Sequence, residues 1–203
     1  MEKGITFIVT KDCQLACKYC YLVGKNSQER MPWEIAKLAI DYILSNEKDF
    51  PEQSVAWDFI GGEPFLEIGL IDKICDYIKT EMFRLNHHWF NSFRFHFSTN
   101  GINYDTQKVQ DFIKKNRQHL SIGITIDGTR EKHDLNRIWK TKDGFSPKPK
   151  DEKGSYDDVV RNIPLWREQF PFDGTKVTIS SADIKYIKDS VLHLYSLGIH
   201  EVN

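Results

Sequence analysis

Apolar residues along this chain follow two periods that alternate from the N-terminus to the C-terminus. Short runs rich in Ile, Val, Phe and Thr are typical of strands. Longer segments with apolar residues three and four positions apart are typical of amphipathic helices. The predicted strands cover residues 4–10, 55–60, 93–98, 120–126, 175–180 and 199–202. The predicted helices cover residues 32–45, 68–84, 105–116 and 184–197, and a further one starts after residue 155.

Strands that alternate with helices predict parallel βαβ units, which wind in one sense because their crossovers are right-handed. The predicted fold class is therefore α/β, an open partial (β/α)6 barrel of the TIM-like type. Active sites in such folds gather at the carboxyl ends of the strands. Four polar or glycine-rich segments occupy those ends in this sequence: the loop after residue 10, Gly61-Gly62, Ser98-Thr99 and Thr125–Asp127.

Several positions in the helices carry their own predictions. The first helix is predicted from the spacing of Ile35, Leu38, Ala39 and Tyr42. Asp105 is a predicted helix cap, since its side chain can accept a bond from a free N–H group. In the helix after residue 155, Ser155 is the predicted cap and Pro164 a predicted kink. In the third strand, His96 is predicted to point into the barrel.

The segment 138–154 is charged and interrupted by Pro and Gly, which predicts an exposed loop. Five lysines are spread through it, at positions 140, 142, 148, 150 and 153. It is either a basic lip over the mouth of the barrel or a solvated excursion.

Composition and charge narrow the classes of protein. The chain has 203 residues, of which 40% are hydrophobic, enough for one domain with a sizeable core. Its 28 basic and 29 acidic residues give a net charge of −1, so nothing indicates binding to nucleic acid or to a membrane surface. No apolar run is long enough for a transmembrane helix, and no signal peptide is evident. We therefore predict a cytoplasmic protein.

Three of the four cysteines, Cys13, Cys17 and Cys20, lie within eight residues. Three thiolates on one short loop can hold a [4Fe–4S] cluster and leave its fourth iron open. The alternatives are a zinc site or a disulfide, but structural zinc needs a fourth ligand that this loop lacks. Cys75 is spaced with Ile71, Ile74, Ile78 and Met82, which predicts a core position instead.

The spacing Cys-x3-Cys-x2-Cys, with an aromatic residue before the last cysteine, resembles the signature of radical S-adenosylmethionine (radical SAM) enzymes. Gly61-Gly62-Glu63-Pro64 looks like the methionine-binding turn of that family. Three further segments resemble the subgroup that modifies peptides and proteins. These are Ser98-Thr99-Asn100-Gly101, Thr125-Ile126-Asp127-Gly128 and His133-Asp134-x-x-Arg137.

The resemblance implies two cofactors, a [4Fe–4S] cluster on Cys13, Cys17 and Cys20, and S-adenosylmethionine. Glu63 and its turn would hold the methionine amino group, Tyr19 the adenine, and Arg137 the methionine carboxylate. Each has a plainer alternative, respectively a strand-to-helix bend, a core aromatic residue and a surface arginine. The residues implied to bind S-adenosylmethionine are Tyr19, Gly61, Gly62, Glu63, Thr125, Asp127, Arg137 and Ser180.

The implied activity is reductive cleavage of S-adenosylmethionine to a 5′-deoxyadenosyl radical, which abstracts hydrogen from a peptide or protein substrate. The implied partners are that substrate and an electron donor such as a flavodoxin or ferredoxin. We interpret residues 1–203 as the core domain, without the C-terminal auxiliary-cluster (SPASM-like) region that this subgroup typically carries. The alternatives are an anaerobic sulfatase-maturing enzyme, which forms formylglycine, and a non-catalytic metal-binding module that serves interaction alone.

Overall fold

A computed structural model describes residues 1–22, 27–140 and 154–203. Within these residues, four strands form one parallel sheet in the order β1-β2-β3-β4. The strands are β1 (Glu2–Thr10), β2 (Ser54–Gly61), β3 (Phe93–Thr99) and β4 (Leu120–Ile124). The helices are α1 (Trp33–Ser45), α2 (Ile68–Arg84), α3 (Gln107–Asn116), α4 (Arg130–Asn136), α5 (Tyr156–Val160), α6 (Ile163–Gln169) and α7 (Ile187–Ser196).

The two faces of the sheet differ in polarity because side chains alternate along each strand. In β3, Phe95 and Phe97 are fully buried on the outer face, where they pack with the apolar faces of α1, α2 and α3. Asp58 and His96 lie on the inner face, where His96 Nδ1 is 2.7 Å from Asp58 Oδ1 and both side chains line cavities. The prediction that His96 points into the barrel agrees with this position.

The first helix is confirmed, but the side chains that predicted it are not its buried face. Ile35, Leu38 and Tyr42 are each more than half exposed. The core face consists of Ala36, Ile40 and Leu44, which are buried. Because α1 has apolar residues on more than one side, periodicity predicts the helix without deciding its orientation.

One predicted cap and one predicted kink are wrong, and a second predicted cap has its expected position without the expected side-chain bond. Helix α3 begins after Thr106, and Asp105 instead lies 3.5 Å from Arg161 in an ion pair. Ser155 does occupy the cap position of α5, but its side chain makes no cap bond. Pro164 lies in the first turn of α6, so it begins a new helix, where its missing N–H costs nothing, rather than bending one long helix.

Side chains, rather than a fifth strand, bind the outer edge of β4. The Asp173 carboxylate accepts the N–H of Ile122 at 2.6 Å, and the Trp166 indole donates to the carbonyl of the same residue at 2.6 Å. The Thr175 hydroxyl donates to the carbonyl of Ile124, also at 2.6 Å. These bonds satisfy backbone groups that a neighbouring strand would otherwise take.

The predicted strands at 175–180 and 199–202 therefore do not extend the sheet. They pair with each other through one parallel bridge between Thr175 and Val202. The prediction of an open α/β barrel is confirmed, with four strands rather than six in the described residues. Of the predicted loop, residues 141–153 lie outside the described residues. No helix in the described ranges has the length and apolar character needed to span a bilayer.

Candidate functional site

The turn after β2 is bonded to the start of the cysteine loop through the main chain. Gly62 N–H donates to the Thr10 carbonyl and Glu63 N–H to the Asp12 carbonyl, each at 2.8 Å. A Cβ at Gly61 would stand 2.2 Å from the Thr10 carbonyl oxygen, and one at Gly62 would stand 2.1 Å from the Asp12 carbonyl oxygen. The two glycines are thus needed for close approach to the cysteine loop itself.

The cysteine loop is also held from its opposite side. Ala16 N–H donates to the carbonyl of Ile138 at 2.8 Å, and Lys18 N–H donates to that of Asn136 at 2.9 Å. The three loop cysteines form no disulfide with one another. They line one cavity of about 490 Å³, a volume in the range of small-molecule sites.

Most of the predicted site residues meet in this cavity. Its lining includes Cys13, Cys17, Tyr19, Cys20, Gly61, Gly62, Glu63, Thr125 and Arg137. The carboxyl ends of β1, β2 and β4 supply most of these positions, as the parallel topology predicts.

Glu63 joins two of the turns that form the cavity. Its carboxylate is buried and accepts bonds from the Thr99 hydroxyl at 2.6 Å, Asn100 N–H at 2.8 Å and Phe65 N–H at 3.1 Å. Burial raises the pKa of the Glu63 carboxyl, and the hydrogen bonds oppose part of that rise. Glu63 therefore fixes the glycine turn against the end of β3, and its carboxylate is engaged within the protein.

Tyr19, Asp127 and Arg137 form a hydrogen-bonded group on the other side of the cavity. Tyr19 donates its hydroxyl proton to Asp127 Oδ2 at 2.6 Å and accepts a bond from Arg137 Nη1 at 2.9 Å. Burial raises the pKa of Tyr19, which keeps the phenol protonated. Arg137 is 7% exposed, and its Nε has no hydrogen-bond partner within the described residues.

Lys132 belongs to this group and was missed at the sequence level. It is fully buried, and its ammonium donates to the carbonyls of Asp127 at 3.1 Å and Thr178 at 2.8 Å. Burial lowers the pKa of Lys132. Lysine is rarely buried without partners, but its burial is a tertiary property that the sequence did not signal.

His133 links the backbone of Asp127 to that of Arg137. Asp127 N–H donates to His133 Nδ1 at 3.3 Å, so the ring proton lies on Nε2, which is 3.0 Å from Ser155 Oγ. Ser155 then donates to the Arg137 carbonyl at 2.8 Å. Burial lowers the pKa of His133 to about 3, so the ring is neutral in this relay.

Thr125 and Ser180, both predicted to bind the cofactor, differ in whether they line the cavity. Thr125 is half-buried and lines the cavity. Ser180 is exposed and lies outside the cavity lining, with its hydroxyl donating to Asp183 Oδ2 at 2.7 Å in a capping box. Contact between Ser180 and a cofactor thus has no geometric support.

The donors in the cavity fit a cubane cluster better than a closed metal site. The three cysteines face one space, whereas Cys75 is fully buried in α2 among apolar side chains. The adjoining buried Arg137 offers an unpartnered N–H, which suits a carboxylate ligand. Cys13, Cys17 and Cys20 could therefore hold a cluster, and Arg137 could hold the acid group of a small molecule.

Comparison with known families decides between these interpretations. The sequence matches the Radical SAM superfamily over residues 7–180. The chain belongs to the radical SAM superfamily. Its cofactors are accordingly S-adenosylmethionine and a [4Fe–4S] cluster.

Two relatives of this chain come from different organisms. An uncharacterized protein of Methanocaldococcus jannaschii is 29% identical over 202 residues, which are 99% of this chain and 61% of that protein. A cysteine-type anaerobic sulfatase-maturating enzyme of Clostridium novyi is 30% identical over 161 residues, 77% of this chain and 38% of that enzyme.

Solved radical SAM structures share the fold. Native anSMEcpe with bound AdoMet and Kp18Cys peptide matches with a TM-score of 0.75 at 18% identity, over 100% of this chain and 50% of that one. HydG, a maturase of the [FeFe]-hydrogenase, matches with a TM-score of 0.61 at 16% identity, over 100% of this chain and 42% of HydG. The chain thus spans about half the length of these proteins.

Proposed function

We propose that residues 1–203 form the radical SAM core of an enzyme that modifies a peptide or protein. The observation that carries the proposal is the shared cavity of three thiols, a glycine turn and the buried Arg137. When bound there, the cluster and S-adenosylmethionine would supply a 5′-deoxyadenosyl radical able to abstract hydrogen from a C–H bond of the substrate. The protein would bind, orient and shield these groups.

In this proposal, Cys13, Cys17 and Cys20 hold three irons. The Arg137 guanidinium pairs with the methionine carboxylate, because its buried position leaves a charged donor in need of an acceptor. The glycine turn after β2 would hold the methionine amino group. Tyr19 and Thr125 complete the adenine and ribose end, and Asp127 acts through its bond to Tyr19.

The proposed partners follow from the same chemistry. A reduced flavodoxin or ferredoxin in the cytoplasm would deliver the electron. The substrate would be a peptide or protein, entering along the inner face of the sheet. Polar side chains there, including the hydrogen-bonded Asp58 and His96, offer groups that can bind a peptide.

A second candidate function is maturation of a sulfatase by oxidation of a Cys or Ser to formylglycine. It is favoured by the 30% identity to the Clostridium novyi enzyme. A Cys-containing peptide incubated with holoenzyme, S-adenosylmethionine and reductant would gain an aldehyde in this case. A crosslinking or otherwise modifying maturase would produce a different mass change.

The first test is iron binding by anaerobically reconstituted protein. We expect about four irons per chain and absorbance from thiolate-to-iron charge transfer. Replacing Cys13, Cys17 and Cys20 together by Ala should abolish both. Cys75→Ala is the matched control, since that thiol is fully buried in the core and should not contribute.

The second measurement separates an enzyme from a binding module. Reductant and S-adenosylmethionine should yield 5′-deoxyadenosine in the wild type and none in the triple variant. Iron binding without any deoxyadenosine would favour a non-catalytic module. Iron retained by the triple variant would refute the cluster assignment itself.

A further inference from the structure

The three cysteine sulfurs differ in the hydrogen bonds that they receive. Cys13 Sγ accepts the N–H of Leu15 at 3.3 Å and is 3.8 Å from the side-chain nitrogen of Asn100. No hydrogen bond reaches the sulfur of Cys17 or Cys20 from the described part of the chain. Cys13 is also the most buried of the three, at 5% exposure.

The orientation of the Asn100 amide is fixed by its other bonds. Its Oδ1 accepts the N–H of Ile102 at 3.0 Å, so the NH₂ group must be on the side of Cys13. That NH₂ group also donates to Gln14 Oε1 at 3.1 Å. The main chain is held as well, because Asn100 N–H donates to Glu63 at 2.8 Å. Asn100 is 4% exposed, so water does not compete strongly for the amide.

A donor aimed at a cluster thiolate stabilises the reduced, more negative cluster more than the oxidised one. The effect is strengthened in a buried setting, where the local dielectric constant is low. We propose that Asn100 is a positioning residue that raises the reduction potential of the cluster by donating to the Cys13 sulfur. This inference rests on the proposed function in one respect, that Cys13 is a cluster ligand.

The test is a redox titration of reconstituted holoenzyme, followed by the electron paramagnetic resonance signal of the reduced cluster. Asn100→Ala should lower the midpoint potential of the cluster. At a fixed solution potential, the ratio of reduced to oxidised cluster should therefore fall roughly three- to tenfold. Asn100→Asp keeps the oxygen that accepts from Ile102 but removes the donor, and should shift the potential in the same direction. Gln14→Ala is the matched control, since it removes the other acceptor of the amide and leaves the sulfur contact.

A measurement on the wild type covers the case in which both variants fail to load iron. The protein is labelled with ¹⁵N in its asparagine side chains. Pulsed electron paramagnetic resonance of the reduced cluster should then detect a magnetic coupling between the cluster and an amide nitrogen. Absence of that coupling, or an unmoved potential in fully loaded variants, would overturn the inference. Failure of the wild type to take up iron would instead overturn the proposed function.

Discussion

The two walls of the cavity are built from different kinds of bond. The cysteine wall, residues 10–20 with 61–63, is joined by main-chain bonds from Gly62 and Glu63 to the carbonyls of Thr10 and Asp12. The aspartate wall, residues 125–137 with 178, is joined largely by side chains. Lys132 and His133 make the central bonds of that wall, both to the backbone of Asp127.

This difference predicts how each wall fails. Main-chain bonds between closely packed segments depend on the absence of side chains, so the cysteine wall is sensitive to added volume. Bonds made by buried polar side chains depend on protonation and on the match of donors and acceptors. The aspartate wall should therefore be sensitive to pH and to loss of single polar groups.

The largest effect is expected where a Cβ would break the cysteine wall. In Gly62→Ala, the new atom would stand 2.1 Å from the Asp12 carbonyl oxygen, so the loop must shift. We expect a loss of about 3 kcal/mol in the free energy of unfolding of the apo-protein, measured with denaturant. Iron uptake after reconstitution should fall with it.

Gly69→Ala is the matched control for this substitution. Gly69 lies in the first turn of α2, and nothing lies within 4 Å of its Cβ position. Alanine favours helices, so the control should be as stable as the wild type or more stable by up to about 1 kcal/mol. Equal loss in the two variants would show that the cysteine wall is not tightly packed.

The next effect concerns ligand binding at the aspartate wall. Arg137→Ala would remove the charge-assisted pair proposed with the carboxylate of S-adenosylmethionine, worth about 2 kcal/mol. Affinity measured by calorimetry on cluster-loaded protein should fall about tenfold to a hundredfold. Arg137→Lys should recover only part, because an ammonium lacks the planar pair of donors.

Arg130→Ala gives the comparison for this experiment. Arg130 is exposed and pairs with Asp157 on the surface, so its loss should leave the affinity unchanged. An unchanged affinity in Arg137→Ala, with the cluster intact, would remove Arg137 from the binding site.

An effect that is small near neutral pH and grows as the pH falls should distinguish the aspartate wall. The pKa of His133 is about 3 in the folded protein, below the ordinary value of about 6.5. The unfolded state therefore takes up the proton first. Stability from this group is complete above about pH 6.5 and falls by about 1.4 kcal/mol per pH unit as the pH falls toward 3.

Unfolding measured between pH 7 and 5 in wild type and His133→Gln would isolate this contribution. In a plot of unfolding free energy against pH, the variant should lose the part of the slope that comes from the buried imidazole. His200→Gln, at an exposed position, controls for the loss of a histidine in general. Parallel pH curves for wild type and His133→Gln would contradict the proposed origin of the slope.

The smallest effect is expected away from both walls. Cys75→Ala deletes one buried sulfur from the core of α2, at a cost of about 1 kcal/mol in unfolding free energy. Reconstituted iron content should not change. Loss of iron in this variant would mean that the loop cysteines are not sufficient ligands.

The features that could be predicted from the sequence are those that depend on neighbouring residues in the chain, such as helices, strands and the residues at strand ends. Strand and helix periods placed β1 to β4 and α1 to α3, and α2 was predicted with both of its ends. Most of the predicted residues at the strand ends, from Cys13 to Arg137, line one cavity. These predictions succeed because parallel topology brings successive strand ends together.

The remaining features depend on tertiary contacts that no local pattern encodes. The alternation in residues 175–180 predicts a strand, but a strand requires a bonded neighbour, and side chains already occupy that edge of β4. Burial of Lys132 is likewise set by the segments that close over it. Glycines 61 and 62 were predicted to face a ligand, yet their missing side chains are also required by Thr10 and Asp12.

The side chains along the outer edge of β4 also bear on self-association. An unpaired strand edge offers a row of backbone donors and acceptors on which another copy could start an intermolecular sheet. Here Asp173, Thr175 and Trp166 occupy groups of Ile122 and Ile124 at that edge. Because these backbone groups are already hydrogen-bonded to the three side chains, they are not available to pair with a strand of another copy. Opening the edge, for example by Asp173→Ala, should increase aggregation of the folded protein more than its modest loss of stability would explain.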